Sequence, residues 1–290
     1  MVPYGILNLN KPPAVTSRDV VNQIQRLVRP AKVGHAGTLD PLATGVLVVC
    51  VGAATRLIEY VQRMPKGYTG TFLLGRSSPT EDIEGEVTEL DNPPVPTREQ
   101  IVAAAAALVG HIEQRPPIYS ALKVDGRRAY ALARKGKEVA LKPRCITIHR
   151  LEVEAYDYPQ LTLNIECGSG TYIRSLGRDL AESLSTAAVM SALVRTKIGC
   201  FDLKDALDPL RITEQSWPEQ VLPASRAVES LPRIELSADE IAEIRNGRMI
   251  PRDVGQDDAK EFAAMGANGR LIAILIRRGE GLLGPSRNLP

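Results

Sequence analysis

The sequence predicts an α+β fold: a mixed, largely antiparallel sheet flanked by helices, followed by a small C-terminal β-rich module. Three observations carry that reading. Strand-like stretches do not alternate with helical ones in the steady order that builds a parallel sheet. Two of them, residues 146–156 and 161–167, flank the turn-forming Asp157-Tyr158-Pro159 and pair as neighbours. A proline-punctuated stretch with Pro209, Pro218 and Pro223 ends near Arg233, where a shorter unit begins. The 290 residues are 44% hydrophobic, enough core for a large domain and a small one. The expected units are 1–232 and 233–290.

Each element has a local reason. Residues 5–10 (Gly-Ile-Leu-Asn-Leu-Asn) read as a short strand. Residues 17–28 read as a helix: Ser17 can cap it, and Val20, Val21, Ile24, Leu27 and Val28 form an apolar stripe. Residues 46–51 are an unbroken apolar run, as in a buried strand, and 68–74 alternate as a half-buried one does. Pro93, Pro94 and Pro96 make a linker, and Thr97 caps an Ala-rich helix over 98–109. Residues 173–184 form a further helix with Arg178 and Asp179 on its face. The last unit holds a helix (238–246), turns at Asn246-Gly247 and Asn268-Gly269, and a strand (271–276). Its nine basic and nine acidic residues cancel, so an accessory role is expected.

Composition excludes several function classes. No apolar run approaches the roughly 20 residues that span a bilayer. Met1-Val2-Pro3-Tyr4 lacks the basic-then-apolar start of a secretory signal, so a cytoplasmic protein is expected. Cys50, Cys145, Cys167 and Cys200 are far apart and there are three histidines, which gives no zinc spacing; reduced, mostly buried thiols are expected. Net charge is only +2, yet residues 112–150 hold ten Lys/Arg against three acids. Such a run can be a plain solvated face. Interleaved with Tyr119 and Tyr130, it also suits an RNA backbone and unstacked bases.

The densest chemistry lies in Gly34-His35-Ala36-Gly37-Thr38-Leu39-Asp40-Pro41-Leu42-Ala43-Thr44-Gly45. Its small residues let a large ligand approach the backbone. Asp40 has two readings. Asp before Pro is a good helix start, with Asp as the cap and Pro at the first helical position. Alternatively, Asp40 is a carboxylate nucleophile, which needs a cation nearby to stay ionised. Gly168-Ser169-Gly170-Thr171-Tyr172-Ile173-Arg174 can supply that cation. Tyr172 and Arg174, two apart, share a face if the segment is extended. Tyr68, after Lys66-Gly67, either presents its ring to a cavity or is an ordinary half-buried strand residue. A phosphate cradle fits poorly, because the loop lacks a Gly-Lys-Ser/Thr ending and its Asp repels phosphate.

Together these segments resemble the bacterial TruB family of tRNA pseudouridine synthases. Asn10-Lys11-Pro12, the whole Gly34 to Gly45 loop, Lys66-Gly67-Tyr68, Tyr119-Ser120-Ala121-Leu122-Lys123, Gly170-Thr171-Tyr172-Ile173-Arg174 and Leu193-Val194-Arg195-Thr196 match in the family's order. The resemblance spans about residues 5–205 and continues more weakly beyond. It implies the pseudouridine synthase fold with a PUA-like C-terminal module. It implies isomerisation of the T-loop uridine of tRNA (position 55 in tRNA convention) by base flipping and a catalytic aspartate, with a second role as a tRNA-folding chaperone. No metal or other cofactor is expected. The expected partner is the tRNA T-arm, with no membrane and no obligatory protein partner, and the expected state is a monomer.

Carried over residue by residue, the resemblance makes Asp40 the catalytic aspartate and Arg174 the cation that pairs with it and keeps it ionised. Tyr68 would stack on the target base, Tyr172 would line the same pocket, and Leu193 would pack beside the base. His35 would fill the place the flipped nucleotide leaves, and Lys11 would support the floor of the site. The basic stretch would be an insertion that clamps the tRNA. Three departures stand out. Ala14 replaces a usual Gly, Ser78-Pro79-Thr80-Glu81-Asp82 alters the usual Thr-Asp-Thr run, and Val194 stands where a second Arg is common. A guide-RNA-dependent branch of the same superfamily is the rival reading, and it would need protein partners.

Overall fold

The computed structural model describes residues 4–120, 123–124, 127–128, 141–255 and 259–290. Strand β1 (Gly5–Lys11) turns into helix α1 (Ser17–Leu27). Thr16, not Ser17, caps this helix: Thr16 Oγ1 accepts from Asp19 N at 3.1 Å, and Asp19 Oδ2 accepts from Thr16 N at 2.9 Å. An acid three residues after Thr16 completes a capping box, which Ser17 could not form. Strands β2 (Val33–His35) and β3 (Thr44–Val51) enclose the glycine-rich loop. Helix α2 (Ile58–Arg63) leads to β4 (Lys66–Leu74) and the small pair β5 (Arg76–Ser77) and β6 (Thr88–Glu89). Helix α3 (Arg98–Ala107) starts from a Thr97–Gln100 capping box, as the sequence indicated.

Strand β7 (Gly110–Gln114) and the short antiparallel pair β8 (Lys123–Val124) and β9 (Arg127–Arg128) follow. Then come β10 (Arg144–Asp157), β11 (Gln160–Cys167), α4 (Ile173–Ser183), β12 (Ala188–Ile198), β13 (Phe201–Asp202) and α5 (Trp217–Gln220). The C-terminal unit contains β14 (Arg233–Glu235), α6 (Ala238–Arg245), β15 (Ile250–Pro251), β16 (Glu261–Met265), β17 (Leu271–Gly279) and β18 (Leu282–Asn288).

The main sheet has nine strands in the order β1-β3-β12-β4-β11-β10-β7, with β2 on β3 and β13 on β12. Its β3–β12 contact is parallel and the other described pairings are antiparallel, so the expected mixed, largely antiparallel sheet is present. The apolar run of β3 feeds two cores, because a strand's side chains alternate between faces. Val46, Val48 and Cys50 enter one core, while Leu47, Val49 and Val51 pack with Val20, Val21 and Ile24 of α1 in the other. The irregular stretch before Arg233 covers the free edge of β1: Ile6 and Leu222 exchange backbone hydrogen bonds of 3.0 and 2.8 Å.

The C-terminal strands form a second, curled sheet in the order β14-β16-β17-β18-β15, consistent with a PUA-like half-barrel. It is docked rather than tethered. Ala263, Met265, Leu271 and Ile274 share the core of Val46 and Val48. Polar contacts join the seam as well: Tyr60 Oη donates to Glu261 at 2.6 Å, and Arg287 pairs with Glu59 at 2.5 Å. The ends of the basic stretch 112–150 are strands β7 and β10, with Ile146 and Ile148 buried. Most of its middle, where the tRNA clamp is expected, lies outside the described residues.

Candidate active site

Asp40 caps no helix. Pro41 and Leu42 form a bend, Ala43 N donates to Asp40 O at 3.1 Å, and β3 begins at Thr44. Four residues leave no room for a helical turn before the strand. The loop is fixed instead by side chains from distant segments. Ser17 Oγ, freed from capping, contacts Leu39 O at 3.1 Å and accepts from Leu39 N at 2.8 Å. Lys11, fully buried, donates to Pro12 O, Val15 O and Pro41 O at 2.8, 2.7 and 3.2 Å. Burial pushes the Lys11 ammonium down from its ordinary pKa, and nearby Asp40 works against that shift. Arg195, 2% exposed, spans the loop: Nε donates to Val46 O at 2.7 Å and Nη2 to Gly37 O at 3.1 Å. Each such charge-assisted bond contributes about 1.5–3 kcal/mol. Gly45 makes this possible. Its φ is +98°, and a Cβ there would lie 2.3 Å from Arg195 O.

Ala14 keeps the glycine-like geometry of its turn. Its φ is +62°, and its N–H donates to Pro41 O at 3.0 Å. An alanine held at this φ is strained where a glycine would not be.

Arg174 organises the charges. It lies in the first turn of α4, for which Tyr172 is the N-cap, so the segment is helical and not extended. The guanidinium is buried and each of its three nitrogens has a partner. Nε meets Asp40 Oδ2 at 3.0 Å, and Nη1 meets Asp82 Oδ2 at 3.4 Å and Thr80 O at 2.7 Å. Nη2 donates to Tyr119 O at 3.1 Å. Asp82 is the residue that sequence reasoning passed over. It is 3% exposed and accepts from Thr80 Oγ1 at 2.5 Å and Glu84 N at 3.1 Å. In the sequence it stands among Glu81, Glu84 and Glu86, with no local signal that it is buried. The altered Ser78–Asp82 segment is nonetheless well bonded: Glu81 accepts from Ser175 Oγ at 2.7 Å and pairs with Arg178. Glu84 has its carboxyl pKa pushed up by burial first, then by Asp82 and Asp40.

Tyr68 and Leu193 belong to one apolar cluster with Leu39 and Ala43, which bracket Asp40. In the β4–β12 register Tyr68 faces Arg195 and Gly70 faces Leu193, so Tyr68 and Leu193 are diagonal neighbours on one face. Burial raises the Tyr68 phenol pKa, with Arg195 acting the other way. Tyr172 is half-buried. Gln114 grips its backbone on both sides at 2.8 and 3.0 Å, and Arg144 lies 4.7 Å from its ring centroid. His35 stands apart on β2, opposite Val49. Desolvation pushes its pKa below 6.5, and its Nδ1 is buried without a partner among the described residues. Asp40, Arg174, Lys11, Tyr68 and Leu193 thus converge, Tyr172 borders them, and His35 lies five residues away along the chain.

A mixed sheet with a carboxylate clamped by a helix-borne arginine, and a second curled sheet docked on it, defines the class. A chain of a Cbf5–Nop10–Gar1 complex superposes with a TM-score of 0.75 at 24% identity, covering 97% of this chain and 80% of that one. A chain of the archaeal box H/ACA sRNP Nop10–Cbf5 complex gives 0.74 at 23%, covering 100% and 87%. The fold is that of a pseudouridine synthase. The model of the TruB family pseudouridylate synthase N-terminal domain matches residues 25–173. The tRNA pseudouridine synthase B of Arthrobacter sp. (strain FB24) is 43% identical over 289 residues, 95% of this chain and 93% of the relative. That of Dehalococcoides mccartyi (strain BAV1) is 40% identical over 287 residues, 98% and 95%. This chain belongs to the TruB family of pseudouridine synthases.

Proposed function

We propose that the chain isomerises the T-loop uridine of tRNA to pseudouridine with Asp40 as the catalytic carboxylate. The observation that carries this reading is the 3.0 Å Asp40–Arg174 pair within a loop anchored by Lys11, Ser17 and Arg195. A uridine inside an RNA fold is out of reach and must be flipped, at a cost of a few kcal/mol. Stacking on Tyr68 returns about 1–3 kcal/mol, and His35 fills the vacated stack. Asp40 acts on the ribose C1′ or on the uracil ring, and the N1–C1′ bond breaks. The uracil turns between apolar walls from Tyr68, Tyr172 and Leu193, which hold its face without fixing its in-plane angle. C5 then joins C1′, C5 loses its proton and N1 gains one, so the atoms of substrate and product are the same.

In this reading unit 1–232 carries the chemistry, unit 233–290 is a PUA-like RNA contact, and the basic insertion grips the tRNA. The chain works in the cytoplasm as a monomer without a protein partner. The test is Asp40→Asn with tRNA tritiated at uridine C5. Tritium release should vanish while tRNA affinity stays within a few-fold of wild type. Release at a near wild-type rate would overturn the role of Asp40. Chemical mapping of pseudouridine in bare tRNA treated with the purified chain checks both the position and the independence from partners. Refolding of unmodified tRNA by the Asp40→Asn protein separates a chaperone role from catalysis.

A further inference from the structure

Gln114 ends β7 on the inward face of the strand. Side chains alternate along a strand, so Gln114 shares a face with Ile112, which packs against the main core. The pattern calls for an apolar residue at this position. A glutamine stands there instead and is fully buried, although glutamines are mostly exposed. A buried amide needs hydrogen-bond partners. Both ends of this one serve a single residue: Oε1 accepts from Tyr172 N at 2.8 Å, and Nε2 donates to Tyr172 O at 3.0 Å. The side chain stands in for a strand partner, exchanging two bonds with one residue as an antiparallel pair does.

Tyr172 is where α4 begins. It is the N-cap, its own side chain caps nothing, and its carbonyl accepts the first helical bond from Leu176 N at 3.0 Å. Arg144, directly opposite Gln114 in the β7–β10 register, lies 4.7 Å from the Tyr172 ring centroid and donates to Gly170 O. The two strand partners thus hold the same tyrosine, one by its backbone and one by its ring. The chain beyond Gln114 stays on α4: Arg115 O accepts from Arg178 at 2.8 Å, and Tyr119 O accepts from Arg174 at 3.1 Å. Arg174 is two residues past Tyr172 and reaches Asp40 from the first turn of the helix. Where α4 begins therefore decides where the guanidinium lies.

We propose that Gln114 is a positioning residue for the isomerisation: through Tyr172 it fixes the start of α4, and with it the placement of Arg174 against Asp40. The inference rests on the proposed role of Asp40. The competing account is a buried amide that serves stability alone. The two differ in the rate per folded molecule and in how Gln114 couples to Arg174.

The test is Gln114→Met in the full chain, which keeps the length of the side chain and removes both bonds. Single-turnover tritium release per folded molecule should slow by about tenfold, since a displacement of about 1 Å costs about 100-fold. Affinity for tRNA should stay within about twofold, because Gln114 acts on the chemical step and not on binding. In the Arg174→Gln background the same substitution should slow release by less than about twofold, because residues that act through one another are not additive. Amide exchange over Tyr172 to Leu176 should quicken by about tenfold, with the rest of the main sheet unchanged. If Gln114→Met does not fold, Gln114→Asn carries the same comparisons: it is one methylene shorter and cannot hold both Tyr172 groups, so about threefold is expected in rate. A lower melting temperature with an unchanged rate per folded molecule would overturn the proposal. So would a full loss that persists in the Arg174→Gln background. If wild type releases no tritium, the reading of Asp40 fails, and the exchange measurement still decides whether Gln114 holds the start of α4: unchanged exchange there overturns the inference.

Discussion

Replacing Arg174 by Gln separates its two duties. The guanidinium compensates Asp82, whose side chain is 4% exposed, and it orients Asp40, whose side chain is 37% exposed. Removing it leaves Asp82 as an unpaired buried charge, and breaking such a pair costs about 3–5 kcal/mol. That is a large share of the roughly 5–15 kcal/mol that holds a typical domain together, so melting should fall by about 10 °C. The double variant Arg174→Gln/Asp82→Asn removes the stranded charge and keeps the shape. It should recover roughly half of the lost stability, since Thr80 O and Tyr119 O still lack their charged donor. Asp40 has no such remedy. Without the 3.0 Å contact its carboxylate is free to turn, and misplacement of this kind costs about 100-fold in rate. Thermal denaturation and single-turnover tritium release from C5-labelled tRNA read the two duties apart. Stability that returns while activity stays low supports the division. A double variant that regains both would refute it, because Arg174 would then serve only to neutralise Asp82.

Ala14→Gly should stabilise the protein by about 1 kcal/mol, because φ +62° strains an alanine and not a glycine; a lower melting temperature would refute strain at this turn. Stability should also rise slightly from pH 8 to 9 and fall above it. Burial lowers the Lys66 pKa to about 8 from 10.5, so between these values the unfolded chain holds a proton that the native protein has lost, and stability gains about 1.4 kcal/mol per pH unit. Burial raises Cys50 to about 12 and Cys167 and Cys200 to about 11 from 9.0, so from pH 9 to 10 the native state holds three protons that the unfolded chain sheds. The net slope is then about −2.7 kcal/mol per unit up to about pH 10, and Cys50→Ala should halve it; an unchanged slope in urea titrations would sink the assignment.

Much of the fold was legible because its signals are local. The Thr97 cap, the β3 run and the β10–β11 hairpin each follow from residues a few positions apart. Central strand β12 was not legible, and the reason is physical. Ser191, Arg195 and Lys197 interrupt its apolar pattern, and Arg195 is buried only because carbonyls 149 and 158 residues away accept from it. Asp82 was hidden for the same reason: its burial is decided by Arg174, far along the chain. The two readings of Asp40 could not be separated locally either. Asp-Pro caps helices well, and what defeats the cap is the early start of β3, fixed by its pairing with β1 and β12.

The anchors of the Asp40 loop share a property that follows from these distances. Lys11 and Arg195 donate to loop carbonyls, and Arg174 pairs with Asp40 itself, while all three are buried. A loop rich in glycine would ordinarily be free to sample many backbone states. Here any such excursion gives up a charge-assisted bond to buried Lys11 or Arg195, or the Asp40–Arg174 pair, at about 1.5–3 kcal/mol each. The glycines therefore provide close approach without providing mobility, and the carboxylate is held in place before any RNA arrives. Ser17 completes the restraint through a neutral contact at Leu39, next to Asp40. A site built this way is preorganised by charge burial and not by packing alone. Its weak point is accordingly the loss of one anchor's charge, and not the loss of a methyl group from the core beneath it.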